Sequence, residues 1–298
     1  MVPSENRAAE LLEMMRSCRL CPRNCGVNRL EGEVGACGVG ANAVVSSYGA
    51  HFGEESVLVG RFGSGTIFMT GCNLKCIFCQ NYDISHLRRG RAVETRRLAE
   101  MMMELQDEGC HNINFVTPTH QIARIVEGIE QARSMGLRVP MVYNCGGYES
   151  VEVLRLLEGV VDIYMPDIKY GDNEPGARYS GVPDYWDRCR EAIREMHRQV
   201  GDLEVRRVEI AGGAKAALAV RGLLVRHLVL PNGRAFTWNV ARFLADEVSK
   251  DTLINVMAQY RPEYGAGKFA EIDRRITQSE FREALEECRR AGLHRFAD

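Results

Sequence analysis

The sequence has no run of about 18 apolar residues, which is the length that a membrane-spanning helix requires. Residues 1–17, MVPSENRAAELLEMMRS, carry acidic side chains and lack the apolar core of a signal peptide. Neither sign of charge dominates, because the net charge is −2 and the pI is about 6.4. Such a balance does not indicate nucleic acid or an anionic membrane as a partner. We therefore expect a cytoplasmic protein that binds neither of them.

Two common nucleotide-binding motifs are also missing. The chain has no G-x-x-x-x-G-K-[ST] loop, and its Gly146-Gly147 pair is not a dinucleotide fingerprint. The composition, 45% hydrophobic and 26% charged over 298 residues, is typical of a globular protein with one large domain or two small ones.

A regular alternation of short apolar runs and helical patterns begins after about residue 60. It predicts six strands, at 65–70, 113–117, 139–144, 161–170, 222–232 and 252–260. Strands that alternate with helices are typical of parallel β/α units, either in an open doubly wound sheet or in a partial barrel. In both architectures the site lies at the carboxyl ends of the strands, and polar clusters follow the predicted strands at those ends. Residues 202–221 have no clear period and are interpreted as a hairpin or loop insertion.

Residues 1–60 have a different character. The run CRLCPRNCGVNRLEGEVGACGVGAN, residues 18–42, is rich in glycine and turn residues and predicts a compact irregular module. We therefore divide the chain into a Cys-rich module, 1–60, and a β/α domain, 61–298.

Cysteine is abundant, with 11 residues, and seven of them lie between positions 18 and 79. In a reducing compartment, crowded cysteines more often bind metal than form disulfides.

Cys72, Cys76 and Cys79 follow the first predicted strand. A buried helical face is a poor explanation, because Asn73 and Lys75 interrupt it. Zinc usually takes a fourth ligand or includes His or a carboxylate. A cubane iron–sulfur cluster fits three thiolates better, since one iron then stays open.

The C-x3-C-x2-C spacing, with Phe78 before the last cysteine, resembles the signature of the radical S-adenosylmethionine (SAM) superfamily. The resemblance implies a partial (β/α)6 TIM-like barrel and a [4Fe–4S] cluster held by Cys72, Cys76 and Cys79. It also implies an oxidoreductase that cleaves SAM reductively to a 5′-deoxyadenosyl radical, which abstracts hydrogen from a substrate. The cofactors carry this radical chemistry, so no side chain is assigned as catalytic.

Further segments, among them INFVTPTH, VYNCGGYES, DIYMPDIKYGD and QYRPEY, resemble the branch related to the pyruvate formate-lyase activating enzyme. That resemblance implies activation of a glycyl-radical enzyme and an electron donor of the flavodoxin or ferredoxin type. Radical modification of another protein, a peptide or a small molecule is an alternative. A non-catalytic iron–sulfur electron-transfer protein is a third hypothesis, although such a protein needs no cradle for SAM.

The same resemblance places SAM against residues that follow the second, third and fourth predicted strands. The expected contacts are Thr117, Thr119, Asn144, Asp167 and Lys169. His227, inside the fifth strand, is as compatible with a core histidine as with a ligand.

Four further cysteines, Cys18, Cys21, Cys25 and Cys37, form the pattern C-x2-C-x3-C-x11-C in the N-terminal module. Four thiols with intervening glycines can enclose one metal centre, and both zinc and a second iron–sulfur cluster are compatible with them. Unliganded structural cysteines are the alternative. The scattered cysteines, at 110, 145, 189 and 288, are interpreted as core thiols.

Overall fold

The structure, a computed structural model, describes residues 6–210, 213 and 215–297. Nine strands are present in the described residues: β1 Ala43–His51, β2 Ser64–Met69, β3 Arg91–Val93, β4 Ile113–Val116, β5 Met141–Cys145, β6 Ile163–Pro166, β7 Glu204–Glu209, β8 Lys215–Leu228 and β9 Leu253–Met257. The helices of the same residues are α1 Arg7–Glu13, α2 Ser56–Val59, α3 Tyr82–Ser85, α4 Thr95–Asp107, α5 Ile122–Ser134, α6 Val151–Leu156, α7 Asn173–Ser180, α8 Tyr185–Val200, α9 Thr237–Phe243 and α10 Gln278–Ala291.

Most of these strands form one sheet with the order β3-β1-β2-β4-β5-β6-β8, and both β7 and β9 pair with β8. Six of them, β2, β4, β5, β6, β8 and β9, are parallel to one another. Strands β1 and β3 extend the sheet antiparallel beyond β2. The sheet is not closed, so the chain forms an α/β partial barrel, as the sequence predicted.

Two cores hold the sheet in place. The larger core lies between the sheet and the outer helices, where amphipathic helices bury one apolar stripe. In α8, for example, Cys189, Ile193 and Met196 are fully buried, while the charged side chains of the same helix, apart from the buried Glu195, face solvent. A smaller core, which includes Val142, Ile163 and Leu224, fills the inside of the barrel.

All six predicted strands are present, and the hairpin prediction for 202–221 is met by the antiparallel pair of β7 and β8, although residues 211, 212 and 214 lie outside the described residues. Two expectations were wrong. Residues 43–51 form strand β1, with one register shift in its pairing to β2, where irregular chain was predicted, because every second residue at its start packs on the core. Helix α7 was missed, because its sequence NEPGARYS contains Pro and Gly, although Asp172 caps it through the amide of Glu174.

The parallel register determines where the site lies. Phe68, Val116, Asn144 and Met165 are paired across β2, β4, β5 and β6, so their side chains point to the same face. The residues that follow them therefore meet at one end of the barrel, at the carboxyl ends of the parallel strands.

Candidate functional site

A cavity of about 430 Å³ opens at this end of the barrel. It is lined by the last residues of the six parallel strands and by the loop that follows β2. Seven of the residues that the sequence predicted to bind metal or cofactor line it: Cys72, Cys76, Cys79, Thr117, Asn144, Asp167 and Lys169. Residues that are far apart in the chain thus share one cavity.

Each of the three cysteine sulfurs in this cavity accepts a hydrogen bond. The backbone amide of Leu74 donates to Cys72 at 3.4 Å. The hydroxyl of Ser180 donates to Cys76 Sγ at 3.1 Å, and the hydroxyl of Ser85 donates to Cys79 Sγ at 3.2 Å. Hydrogen-bond donors of this kind stabilise negative charge on sulfur, so these contacts by themselves favour thiolates.

Burial works in the opposite direction on the bare thiols. It raises the pKa of Cys72 to about 12, and it also raises the pKa of Cys79 although Ser85 opposes the effect. A buried thiolate therefore needs a positive partner, which a metal centre provides.

Charged side chains form a network in the same cavity. The carboxylate of Asp167 accepts hydrogen bonds from Lys169 Nζ at 2.9 Å and from Arg226 Nε at 2.6 Å. Burial would raise the pKa of Asp167, but the charges of Arg226 and Lys169 hold it below its usual value. Arg226 also donates to Asn144 Oδ1 at 2.7 Å and to Glu54 at 3.2 Å.

The acids in this network outnumber its bases. Besides Asp167, the network contains Glu54 and its neighbour Glu55, whose carboxylate lies 3.9 Å from the Arg226 guanidinium. Burial raises the pKa of Glu54, in spite of the nearby Arg226. The cavity thus presents carboxylates as well as cations to a ligand.

Thr117 has an unusual backbone conformation at the edge of the cavity. Its φ is +61°, in the left-handed region, which a β-branched residue rarely adopts. Its amide donates to the carbonyl of Asn144 at 2.8 Å. Strain of this kind is often found where a backbone is held in position for a ligand.

Thr119 does not line the cavity, contrary to the prediction. It is buried, and its hydroxyl donates to Glu149 Oε1 at 2.8 Å, while Tyr143 donates to the other oxygen of the same carboxylate. The short helical turn Thr119–Gln121 directs these side chains away from the cavity. Thr119 therefore supports the loop rather than facing a cofactor.

His227 is a core histidine. Its Nδ1 lies 2.7 Å from the Ile168 carbonyl and its Nε2 lies 2.9 Å from the Thr237 hydroxyl, so both ring nitrogens are satisfied. Burial lowers the pKa of His227 to about 4, which keeps the ring neutral.

Of the scattered cysteines, Cys145 lines the cavity, whereas Cys110, Cys189 and Cys288 are buried elsewhere.

The N-terminal cysteines are also brought together. Cys18, Cys21, Cys25 and Cys37 all line a second, much smaller void of about 10 Å³. In neither cysteine group do three side chains converge as the ligands of a single metal ion do, and the same holds for all His, Cys, Asp and Glu of the described residues.

Comparison with known proteins identifies the superfamily. The family model described as the radical SAM superfamily matches residues 66–206, which include the C-x3-C-x2-C loop and three of the parallel strands, β4 to β6. The chain belongs to the radical SAM superfamily. It is also 34% identical over 290 residues to uncharacterized protein MJ0674 of Methanocaldococcus jannaschii, a match that covers 94% of this chain and 76% of that protein.

Solved structures share the radical SAM fold at low sequence identity. Native anSMEcpe with bound AdoMet and Cp18Cys peptide matches with a TM-score of 0.51 and 12% identity, over 76% of this chain and 60% of that one. Streptococcus suis SuiB bound to S-adenosylmethionine matches with a TM-score of 0.50 and 11% identity, over 76% of this chain and 48% of that one. The chain therefore spans about half to three fifths of the length of these structural relatives.

Membership of the radical SAM superfamily implies a [4Fe–4S] cluster and SAM. The residues of the large cavity fit both groups. Three thiols with a hydrogen-bond donor each are suited to three irons, and their failure to converge on a point is expected because each thiolate binds a different iron. The cavity also has polar groups of both charges beside the thiols, as an amino acid with a sulfonium requires.

Sequence reasoning missed several residues of this radical SAM site. Arg226 could have been found from the sequence. It lies two positions from Leu224 and two from Leu228 along β8, so its side chain shares one face of the strand with these two apolar residues. Ser85, Ser180 and Glu54 gave no such signal in the sequence, because none of them directly follows one of the six predicted strands.

Among the described residues, no helix is long and apolar enough to cross a lipid bilayer.

Proposed function

We propose that the protein binds a [4Fe–4S] cluster through Cys72, Cys76 and Cys79 and cleaves SAM reductively to initiate a radical reaction. One observation carries the proposal: the three thiols and the partly buried Asp167–Lys169 pair line the same cavity. When bound, cluster and SAM together supply an organic radical that abstracts hydrogen. A non-catalytic electron carrier has no use for a charged network in the same cavity as the thiols.

Lys169 and Asp167 are suited to the amino-acid end of SAM. The Lys169 side chain is partly buried, and burial would lower its pKa, but the adjacent Asp167 raises it, so the group stays charged. It can pair with a carboxylate, while the oxygens of Asp167 and Asn144 can accept from an ammonium or from hydroxyls. Thr117, held in its strained conformation, presents its backbone at the edge of the same cavity.

Apolar side chains limit the access of water. Phe68, Met69, Leu228 and Met257 line the cavity beside the polar wall. A water-poor site prevents side reactions of a radical and strengthens the electrostatic contacts within it.

We propose a glycyl-radical protein as the substrate and a flavodoxin- or ferredoxin-type protein as the electron donor. The support for a protein substrate is a group of aromatic rings on the segments that flank the cavity. Tyr264, which is 54% exposed, stacks on Tyr82 with ring centroids 5.4 Å apart and also contacts His86. Exposed aromatic side chains are frequent in protein–protein contacts. Another protein, a peptide or a small molecule is the alternative substrate.

The first experiment is anaerobic incubation of the reconstituted protein with dithionite and SAM. The wild type should form 5′-deoxyadenosine and methionine in equal amounts. Cys76→Ala should reduce both to background, whereas Cys288→Ala, which removes an equally buried thiol far from the cavity, should leave them unchanged. Absence of 5′-deoxyadenosine from fully loaded wild-type protein would favour the electron carrier.

The substrate is tested by isotope transfer. Candidate proteins labelled with [2,2-²H₂]glycine should pass deuterium to 5′-deoxyadenosine if a glycyl hydrogen is abstracted. Cofactor turnover without deuterium transfer in the presence of these proteins would contradict the glycyl-radical assignment and leave SAM cleavage itself intact.

A further inference from the structure

We infer that an acidic electron-donor protein docks on a basic surface beside the C-x3-C-x2-C loop. This surface, the arginine patch, consists of Arg88, Arg89 and Arg91 together with the apolar Leu87. All four residues are exposed, and Leu87 is 52% exposed. The inference rests on the proposed function, because a protein that cleaves SAM reductively needs a source of single electrons.

The three arginines of the patch have no carboxylate partner in the part of the chain that the structure describes. Arg88 donates to the Gly38 carbonyl at 3.4 Å, and no acid pairs with any of the three. Arg96 and Arg97, which follow on α4, pair instead with glutamates of their own helix. In a chain whose net charge is −2, the unpaired charges of the patch form a local positive field that attracts an acidic protein.

The backbone of the patch is packed against the start of the cysteine loop. The Thr70 hydroxyl donates to the Arg89 carbonyl at 3.4 Å. A Cβ at Gly90 would lie 2.9 Å from the Val45 carbonyl oxygen and would also clash with the Thr70 hydroxyl. Only glycine therefore fits between the patch and the end of β2, two positions before Cys72.

The residues that precede the patch contact the last cysteine of the same loop. Ser85, in α3, donates to Cys79 Sγ at 3.2 Å, and His86 Nδ1 lies 2.9 Å from the Ser85 hydroxyl. Leu87 is the next residue. The chain thus passes within two residues from contact with a proposed cluster ligand to the exposed patch. A protein bound there lies near the cluster without entering the cavity.

Lys75 adds positive charge from within the cysteine loop. It lies between Cys72 and Cys76, is partly exposed and pairs with no acid among the described residues. Burial lowers the pKa of His86, and the charge of Lys75 acts in the same direction, so the ammonium lies near that ring. The positive field of the patch therefore extends to the cysteine loop itself.

The position of the patch favours an electron donor over a substrate. A substrate must bring its reacting atom into the large cavity, and no residue of the patch lines that cavity. A donor only has to come near the cluster. One electron leaves its reduced flavin or iron–sulfur centre and enters the cluster, where the reductive cleavage of SAM consumes it, and no atom is exchanged at the patch. Arginine is also enriched in protein–protein contacts.

The test compares two reductants on the double variant R89E/R91E. Arg88 is kept, because it holds the Gly38 carbonyl. Dithionite needs no docking surface, so the rate of 5′-deoxyadenosine formation with excess dithionite should equal that of the wild type. With a reduced acidic flavodoxin below saturation and at low ionic strength, the rate should fall about tenfold. Added salt should slow the flavodoxin reaction of the wild type and have little effect on the variant.

R138E/R207E is the matched control. Arg138 precedes β5, and Arg207 lies in the hairpin that precedes the parallel part of β8, so both are at the end of the barrel opposite to the cysteine loop. Both are exposed, and neither pairs with a carboxylate in the described residues. This variant changes the net charge by the same amount as R89E/R91E, and it should keep the wild-type rate with flavodoxin.

Binding provides a measurement that does not depend on turnover. Isothermal titration calorimetry of oxidised flavodoxin with the full, cluster-loaded chain should give a dissociation constant about tenfold higher for R89E/R91E than for the wild type. R138E/R207E should bind as the wild type does.

Three results would overturn the inference. The first is that flavodoxin binds and reduces R89E/R91E as well as it does the wild type, or that neither flavodoxin nor a ferredoxin binds the wild type. The second is an equal loss of rate with dithionite, which would assign the arginines to the site itself. The third is a loss that appears with dithionite only when a protein substrate is present, which would assign the patch to the substrate. A wild type that forms no 5′-deoxyadenosine with dithionite contradicts the proposed SAM cleavage instead, and the calorimetry still tests the docking.

Discussion

Arg226 Nε lies 2.6 Å from Asp167 Oδ1, although the two residues are 59 positions apart in the chain. Asp167 follows β6 and Arg226 lies within β8, and a parallel bridge joins their backbones. The pair therefore links two neighbouring strands on the cavity side of the barrel. It also keeps the carboxylate ionised beside Lys169.

Arg226→Met should destabilise the protein strongly. The change leaves Asp167 and Glu54 in the cavity wall with Lys169 as the remaining nearby cation, and breaking a buried pair costs about 3–5 kcal/mol. Denaturant unfolding at constant cluster content measures the effect. Arg198→Met is the matched control, because Arg198 pairs with Glu158 and Glu195 but is half exposed, and it should cost less than about 1 kcal/mol. Equal losses in both variants would contradict the role of the buried network.

Glu149 should make stability depend on pH. Burial raises the pKa of Glu149 from its ordinary value of 4.5 to about 7, although Thr119 and Tyr143 donate hydrogen bonds to it. Between these values the folded protein keeps the proton and the unfolded chain loses it. Stability is therefore full below about pH 4.5 and decreases by about 3 kcal/mol as the pH rises to about 7.

Glu149→Gln removes this titration. Unfolding free energies measured at pH 5 and pH 7 should fall less steeply with pH in Glu149→Gln than in the wild type. The prediction fails if the two proteins show the same difference between the two pH values.

Thr117→Gly should increase stability while weakening the site. Glycine adopts a φ of +61° without strain, and relief of a strained non-glycine residue is worth about 1–3 kcal/mol, less about 0.5–1 kcal/mol for the flexibility of glycine. We expect a net gain of about 1 kcal/mol in the unfolding free energy, together with a higher KM for SAM. Thr66→Gly, at an ordinary φ in β2, should instead lose stability. A loss of stability in both variants would show that Thr117 is not strained.

Much of the site was predictable because of one geometric rule. Asn144, Asp167 and Lys169 follow apolar runs in the sequence, and the carboxyl ends of parallel strands meet at one end of a barrel. A pattern of strands and helices is therefore enough to place them together. The spacing of Cys72, Cys76 and Cys79 after the first of these strands added the chemistry.

The residues that were missed or misplaced depend on tertiary contacts that leave no local pattern. Thr119 lies two positions after Thr117, but the strained backbone at Thr117 and the helical turn that follows direct it towards Glu149. Ser180, at the end of α7, donates a hydrogen bond to Cys76, which is 104 positions away in the chain. No sequence pattern near either residue predicts this contact. Strand β1 was not recognised because its glycine-rich surroundings dominated the local composition.

The hydroxyls of Ser85 and Ser180 should tune the cluster that we propose. Each donates to a cysteine sulfur, and such donors stabilise the more negative, reduced state. Ser180→Ala should therefore shift the reduction potential of this cluster to a more negative value, as measured by anaerobic redox titration. Ser134→Ala, whose hydroxyl is bonded to a local carbonyl on the surface, is the control. An unchanged potential would mean that Ser180 does not contact a ligand sulfur.

Gly71→Ala should separate the two cysteine groups. A Cβ at this position would lie 2.8 Å from the Cys37 carbonyl oxygen and 2.9 Å from a Val39 methyl, and the φ of Gly71 is +84°. Gly159→Ala is a close control, because its φ is +77° but a Cβ there would meet nothing within 4 Å. Backbone strain alone should cost each variant about 1 kcal/mol. The additional clash in Gly71→Ala pushes the loop that begins at Cys72 away from Cys37. This variant should therefore be less stable than Gly159→Ala, and it should also lose iron during anaerobic purification. If both variants retain wild-type iron, the contact between the loop and the N-terminal module does not control cluster retention.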